Sequence, residues 1–103
     1  MLNEQKVVAE FCKRHNLSGS AEIRLLDTLS ELGEVAKEIL KSTNYGASAF
    51  EQRDEIKSEL GDLFFSLLTL ANELDVPLDE ALTEALAKYE RRLKKGGAGS
   101  END

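Results

Sequence analysis

Two six-residue segments of this chain are near-copies of each other, and they constrain its fold more than any other feature. Residues 30–35 read SELGEV and residues 58–63 read SELGDL. Each copy holds two acidic residues three positions apart, which in an α-helix places both carboxylates on one face. Each also holds a glycine, which is unfavourable inside a helix. The repeat therefore predicts two helices that each present a pair of carboxylates.

The spacing of apolar residues predicts four helices and no strand. The expected helices cover residues 3–16, 21–41, 51–74 and 77–95. Ser20 is placed to cap the second helix, and Pro77 suits the start of the fourth. The loop over residues 42–50 is short enough to make the second and third helices antiparallel neighbours. The sequence thus predicts an all-α, four-helix bundle.

The apolar arcs of these helices are broader than one protomer can cover. We expect burial of apolar residues on the second, third and fourth helices, namely Leu25, Leu29, Leu32, Ala36, Ile39 and Leu40, then Ile56, Leu60, Leu63, Phe64, Leu67, Leu68 and Ala71, then Leu82, Ala85, Leu86 and Tyr89. Four helices alone leave part of this surface in water, so we expect oligomerisation to complete the bundle.

Composition limits the partners of the chain. With 103 residues and 41% hydrophobic residues it forms one domain, which we place at residues 1–95 ahead of a disordered tail at residues 96–103. Thirteen basic against twenty acidic residues give a net charge of −7, which argues against nucleic acid or an anionic membrane as partner. One cysteine, Cys12, and the lack of a signal or membrane segment favour the cytoplasm. The single histidine, His15, argues against a zinc site.

The two acidic pairs are placed to meet. Counted outward from the loop, Glu34 is level with Glu59 and Glu31 is level with Asp62. Four carboxylates in one cluster repel each other, at about 0.2–0.5 kcal/mol for each pair one turn apart, and a bound cation removes that repulsion. Ligation by carboxylates alone favours a hard ion, Mg²⁺ or alternatively Mn²⁺.

The glycines of the repeat, Gly33 and Gly61, are consistent with close approach of a backbone or a ligand. The competing interpretation is that the acidic arcs are solvated surface. The chain would then be a non-catalytic helical oligomerisation module or a nucleotide-binding regulatory module.

The motif with its flanks resembles the MazG-like all-α nucleoside triphosphate pyrophosphohydrolases. The similarity covers residues 20–93 and includes LSELGEVAKE from Leu29, SELGDLFF from Ser58 and LANELDV from Leu70. It implies Mg²⁺-dependent cleavage between the α and β phosphates of (d)NTPs, giving a monophosphate and pyrophosphate, with house-cleaning of aberrant nucleotides as one biological use.

The resemblance also implies roles for individual residues. The metal ligands would be the four motif carboxylates, Glu31, Glu34, Glu59 and Asp62. Lys88 and Arg92 would meet phosphate and offset charge on the leaving group, and Asn72 matches a substrate-binding position. Two departures are Ser30, where many members have a second Glu, and Ala85, Leu86 and Ala87, where many have an Asn.

Two roles stay open at this point. The general base would be a motif carboxylate not fully used as a ligand or one nearby, and Glu34 and Glu38 are the candidates. The base of the nucleotide would stack on an aromatic ring, and Tyr45 and Phe50 in the loop or Phe11 in the first helix could supply it. Packing at helix ends is the alternative role for these rings.

Overall fold

The computed structural model describes residues 1–96, which form four α-helices and no strand. The helices are α1 (Asn3–Arg14), α2 (Ala21–Ser42), α3 (Glu55–Glu73) and α4 (Leu78–Lys94). This confirms the all-α prediction and its four elements. The predicted tail, beyond Gly96, lies outside the described residues.

Local chemistry explains where the helices begin. The Ser20 hydroxyl accepts a hydrogen bond from the backbone N–H of Ile23 at 3.3 Å, which caps α2 as expected. The predicted start of α3 at residue 51 was four residues too early. The backbone N–H of Glu51 bonds instead to the carbonyl of Ser42 at 2.8 Å and ties the loop to the end of α2.

The core lies along the α2–α3 hairpin. These two helices form the most extensive helix–helix contact among the described residues, and α1 packs on α3. The buried apolar residues are Val35, Ile56, Leu68 and Ala71. In contrast, α4 makes at most slight contact with the other three helices and has no buried residue.

A buried glutamine joins three helices at one end of the molecule. Gln5 of α1 is fully buried, and its side-chain nitrogen donates to the carbonyl of Val76 at 2.8 Å and to Oδ1 of Asn72 at 3.2 Å. Its side-chain oxygen accepts from the backbone N–H of Leu78 at 2.9 Å. The Asn72 amide donates in turn to the Gln5 carbonyl at 2.9 Å. This network fixes the ends of α3 and α4 against α1.

Much of the apolar surface that was expected to be buried is exposed in the protomer. The exposed positions include Leu25, Leu29, Leu32, Ile39, Leu40, Leu60, Phe64, Leu67, Leu82, Leu86 and Tyr89. The radius of gyration is 17.0 Å, against about 13 Å for a compact chain of 100 residues. One protomer therefore does not bury its own apolar arcs, because α4 does not fold back over the hairpin.

Candidate functional site

Three carboxylates converge near the middle of the α2–α3 hairpin. Glu31 comes from α2, and Glu59 and Asp62 come from adjacent turns of α3. One carboxylate oxygen from each lies within 4.8 Å of the others. Glu31 and Glu59 are half-buried and Asp62 is exposed. We call these three residues the acidic cluster; it joins the two copies of the repeated motif.

The fourth motif carboxylate differs from the expectation. Glu34 is exposed, and its carboxylate lies outside the acidic cluster, so three acidic groups converge rather than four. Water solvates its charge there, which avoids a fourth like charge in the cluster. Glu34 is still close enough to act on Glu59 electrostatically.

The surroundings of Glu59 change the pKa of its carboxyl group. Partial burial raises its pKa above the ordinary value, and the negative charges of Asp62, Glu34, Glu31 and Glu38 raise it further. Both effects disfavour the ionised form. A divalent cation at this place would reverse them, since it replaces lost hydration and cancels like charge. The site therefore has the donor atoms and the excess negative charge that a hard cation requires.

A second carboxylate near the cluster is held by an ion pair. Glu38 is buried, and its side chain accepts a hydrogen bond from Nε of Arg53 at 2.8 Å and lies 3.6 Å from Nζ of Lys41. The hydrogen bond from Arg53 is the main cause of the lowered pKa of Glu38. This use of Arg53 could not be predicted from sequence spacing, because its partner is fifteen residues away and in another element.

The two α4 residues that were predicted to meet phosphate, Lys88 and Arg92, lie beside an aromatic ring of the same helix. Nζ of Lys88 lies 5.4 Å from the centre of the Tyr89 ring, and the guanidinium of Arg92 lies 5.7 Å from it. These two contacts are with a residue of the same helix, and α4 makes only slight contact with the other three helices. Their role toward phosphate stays a prediction.

The other predicted substrate contacts lie at opposite ends of the hairpin. Asn72 stands near the end of α3, where its amide bonds to Gln5. Tyr45 follows the end of α2, is 64% exposed, and adopts a positive φ of 58°. These two residues lie on either side of the acidic cluster along the hairpin, and their roles toward substrate stay predictions.

The motif glycines meet no neighbour within the protomer. A Cβ atom added at Gly33 or Gly61 would find no other atom within 4 Å among the described residues. The expected close approach of a backbone is therefore not made by this chain's own helices. If these glycines serve packing or binding, the contact comes from a ligand or another copy.

Comparison with known proteins agrees with this geometry. The model of the MazG nucleotide pyrophosphohydrolase domain matches residues 20–96, which include both copies of the motif. The chain belongs to this family. The MazG family depends on divalent metals, and the acidic cluster supplies carboxylates for one. The resemblance inferred from the motif is thereby confirmed.

Two curated proteins and one crystal structure are similar to this MazG-family chain. The uncharacterized protein YpjD of Bacillus subtilis (strain 168) is 39% identical over 67 residues, which are 62% of this chain and 59% of YpjD. The Gene 37 protein of Mycobacterium phage L5 is 37% identical over 71 residues, or 66% of this chain and 61% of that protein. The chain thus spans about three fifths of the length of these relatives.

The fold matches the crystal structure of the Bacillus-conserved MazG protein, a nucleotide pyrophosphohydrolase, with a TM-score of 0.67. The match covers 98% of this chain and 93% of that one, at 22% identity, and so concerns the fold alone.

Among the described residues no helix has the length and apolar character needed to cross a bilayer.

Proposed function

We propose that this MazG-family chain is a Mg²⁺-dependent pyrophosphohydrolase that cleaves the α–β phosphate bond of (d)NTPs to give a monophosphate and pyrophosphate. The observation that carries the proposal is the convergence of Glu31, Glu59 and Asp62, the carboxylates of a motif shared with that family. Removal of aberrant nucleotides is the biological use that fits such a reaction. Mn²⁺ is the alternative ion.

The acidic cluster suits a hard divalent cation. Glu31, Glu59 and Asp62 would hold it, and Glu34 is the fourth ligand we propose, because its charge already acts on Glu59. Carboxylate oxygens select Mg²⁺ or Mn²⁺ over softer metals. When bound, such a cation neutralises phosphate charge and makes water more acidic.

The protein residues then have three tasks in the reaction. A water oxygen forms a bond to the α-phosphorus, the bond from that phosphorus to the α–β bridging oxygen breaks, and pyrophosphate leaves with the electron pair. One carboxylate takes the proton from the attacking water. Lys88 offsets the charge that develops on pyrophosphate, and Arg92 binds phosphate oxygens.

We assign the proton transfer to Glu34 rather than Glu38. The Glu38 carboxylate is committed to Arg53 and Lys41, and the lowered pKa of Glu38 makes it a weaker base. Glu34 is exposed and carries no such ion pair among the described residues. A carboxylate has two oxygens, so Glu34 can serve the cation with one and accept a proton with the other.

The approach of Lys88 and Arg92 to phosphate requires a second protomer. Their helix makes only slight contact with its own α2 and α3, while its apolar side is exposed. We propose that the chain works as a homodimer or homotetramer in which the active site lies near the protomer interface.

The decisive experiment measures pyrophosphate and orthophosphate released from a panel of ordinary and modified nucleoside triphosphates with Mg²⁺. Glu59→Gln and Asp62→Asn should reduce pyrophosphate release to background and abolish stabilisation by Mg²⁺, with helix content unchanged. Glu10→Gln, an exposed acid on α1, is the matched control and should behave like the wild type.

Two outcomes would redirect the assignment. Orthophosphate as the only product would mean that another bond is cleaved. Binding of nucleotide without any product would favour the alternative, a nucleotide-binding regulatory module, and a chain that binds neither nucleotide nor Mg²⁺ would favour a helical oligomerisation module.

A further inference from the structure

A cavity of about 230 Å³ opens between α1, α2 and α3 at the end of the hairpin away from the long loop. Its lining includes Cys12 of α1, Leu17 of the following turn, Arg24 of α2, and Thr69 and Asn72 of α3. Arg24 is held in place, because its Nη2 donates to the carbonyl of Leu17 at 2.9 Å. Three helices thus build one cavity that is partly open to solvent.

This cavity lies in line with the acidic cluster. Arg24 precedes Glu31 by seven residues on α2, and Thr69 follows Asp62 by seven residues on α3. Seven residues are close to two helical turns, so each pair shares a helix face and is separated by about 10 Å along the axis. The cavity and the acidic cluster therefore lie on the same side of the α2–α3 hairpin, and we call the surface between them the groove.

The lining of the cavity combines apolar walls with both kinds of hydrogen-bonding group. Leu17 and Cys12 are apolar, while Arg24 offers N–H donors. The Thr69 hydroxyl is 5% exposed and donates to the carbonyl of Ser66 at 2.7 Å, which leaves its oxygen lone pairs to accept. A nucleoside has matching chemistry: a flat apolar face with donors and acceptors at the edge of the base and on the sugar.

We propose that this cavity binds the nucleoside part of the substrate, with its phosphates extending along the groove to the acidic cluster. The inference rests on the proposed function and adds the orientation of the bound nucleotide. The base points toward α1 and the start of α2, and away from Tyr45 and Phe50 in the long loop. The cavity volume of about 230 Å³ is below the roughly 300–1,000 Å³ of pockets that bury a drug-sized ligand, so the phosphates lie outside the cavity.

Cys12 provides a direct test, because it is the chain's one cysteine and lines the cavity. The rate of its alkylation by iodoacetamide is measured with Mg²⁺ and the α,β-methylene analogues of the common nucleoside triphosphates. An analogue at ten times its dissociation constant should slow alkylation about tenfold, because the cavity is then mostly occupied. Inorganic tripolyphosphate, which has the phosphates without a nucleoside, should leave the rate unchanged.

A second measurement uses turnover. Modification of Cys12 with a bulky maleimide should raise KM for nucleotide much more than it lowers kcat, because it fills the nucleoside position and not the acidic cluster. In the Cys12→Ala variant, maleimide treatment should leave KM unchanged, because the variant has no thiol to react. Tyr45→Ala tests the loop end of the hairpin and should change KM less than the Cys12 modification does.

The outcomes separate this inference from the proposed function. An active enzyme whose Cys12 is protected equally by tripolyphosphate, or by no analogue, would overturn the nucleoside position and leave the pyrophosphohydrolase assignment intact. A larger KM effect from Tyr45→Ala than from Cys12 modification would place the base at the loop end instead. A protein that releases no pyrophosphate from any nucleotide would remove the proposed function itself.

Discussion

The environment of a single side chain, Glu59, explains why a bound cation would stabilise the folded site. Its pKa is raised because the side chain is partly buried and because other carboxylates surround it. The folded protein therefore binds a proton at Glu59 more tightly than the unfolded chain does. Without metal, ionised Glu59 lowers stability at neutral pH, and this penalty disappears as the pH falls through the raised pKa.

The prediction is a difference between wild type and Glu59→Gln that depends on pH and on Mg²⁺. With EDTA at pH 7, Glu59→Gln should have the higher Tm, and the gap should close as the pH falls toward the ordinary glutamate value near 4.5. With Mg²⁺ at pH 7, the wild type should gain Tm and the variant should not. Differential scanning fluorimetry at each pH measures both effects.

A metal-free Glu59→Gln protein less stable than the wild type at pH 7 would contradict this account. Glu10→Gln, far from the cluster on exposed α1 surface, serves as the control for general charge effects. The Glu10→Gln control is needed because other groups change stability with pH in the opposite direction. The lowered pKa of Glu38 means that its stabilising pair with Arg53 is lost as the pH falls through that lowered pKa.

Residues differ in how far the sequence could reveal them. The carboxylates of the cluster repeat at a helical spacing, so their shared face could be predicted from the spacing alone. Gln5 and Arg53 carry no such signal for their tertiary contacts: apart from the local bond from the Leu2 N–H, the partners of Gln5 are 67 to 73 residues away, and the partner of Arg53 is 15 residues away. Such polar contacts depend on how the helices pack, which single-helix periodicity does not describe.

Among the elements, α4 is held at its first turn by Gln5, and the helix beyond it is largely unsupported in the protomer. Gln5→Leu should leave the Val76 carbonyl and the Leu78 N–H without their partners. Both hydrogen bonds are only partly buried, so at about 0.5–1.5 kcal/mol for each bond the expected loss of unfolding free energy is roughly 1–3 kcal/mol. Urea denaturation measures the loss, and Gln52→Leu, an exposed glutamine in the loop, is the matched control.

A loss of less than about 1 kcal/mol in Gln5→Leu would show that water replaces the glutamine at no greater cost than an ordinary hydrogen bond. Hydrogen exchange adds a local measurement. The amide of Leu78 should exchange faster in the variant, while amides in the middle of α2 should lose protection only through the global change in stability.

The elements themselves were well predicted by periodicity, and their packing was less so. The four helices follow from apolar spacing, and Ser20 caps α2 as its position indicated. The late start of α3 arises from contacts of the loop with Ser42 and Glu38, which compete with helix formation over residues 51–54. The isolation of α4 could not be read from its amphipathic pattern, because that pattern shows which side is apolar and not what covers it.

At the scale of the whole molecule, the apolar arcs of α2 and α3 are exposed to water in the protomer, which is energetically unfavourable. Leu29 and Leu32 on α2, with Leu60, Phe64 and Leu67 on α3, are each between 39% and 56% exposed. Contiguous apolar surface of this kind is rare on monomers and marks interfaces. A second copy offers the same arcs and can cover them isologously.

The expected result is that the wild type sediments as a dimer or tetramer at micromolar concentration and that Leu29→Glu shifts it toward monomer. A buried charge at the interface costs several kcal/mol, which is enough to dissociate a modest assembly. Ile23→Glu is the matched control: Ile23 is 54% exposed against 56% for Leu29, but it lies about 120° away around α2. That variant should keep the wild-type sedimentation coefficient.

The same pair of variants connects assembly with activity. If Lys88 and Arg92 reach phosphate only across the interface, Leu29→Glu should lose pyrophosphate release at concentrations where it is monomeric and recover part of it as concentration rises. It should still bind Mg²⁺, because Glu31, Glu59 and Asp62 come from one protomer. A monomeric Leu29→Glu protein with full turnover would show that one protomer holds the complete site, and that α4 must fold over its own hairpin when substrate binds.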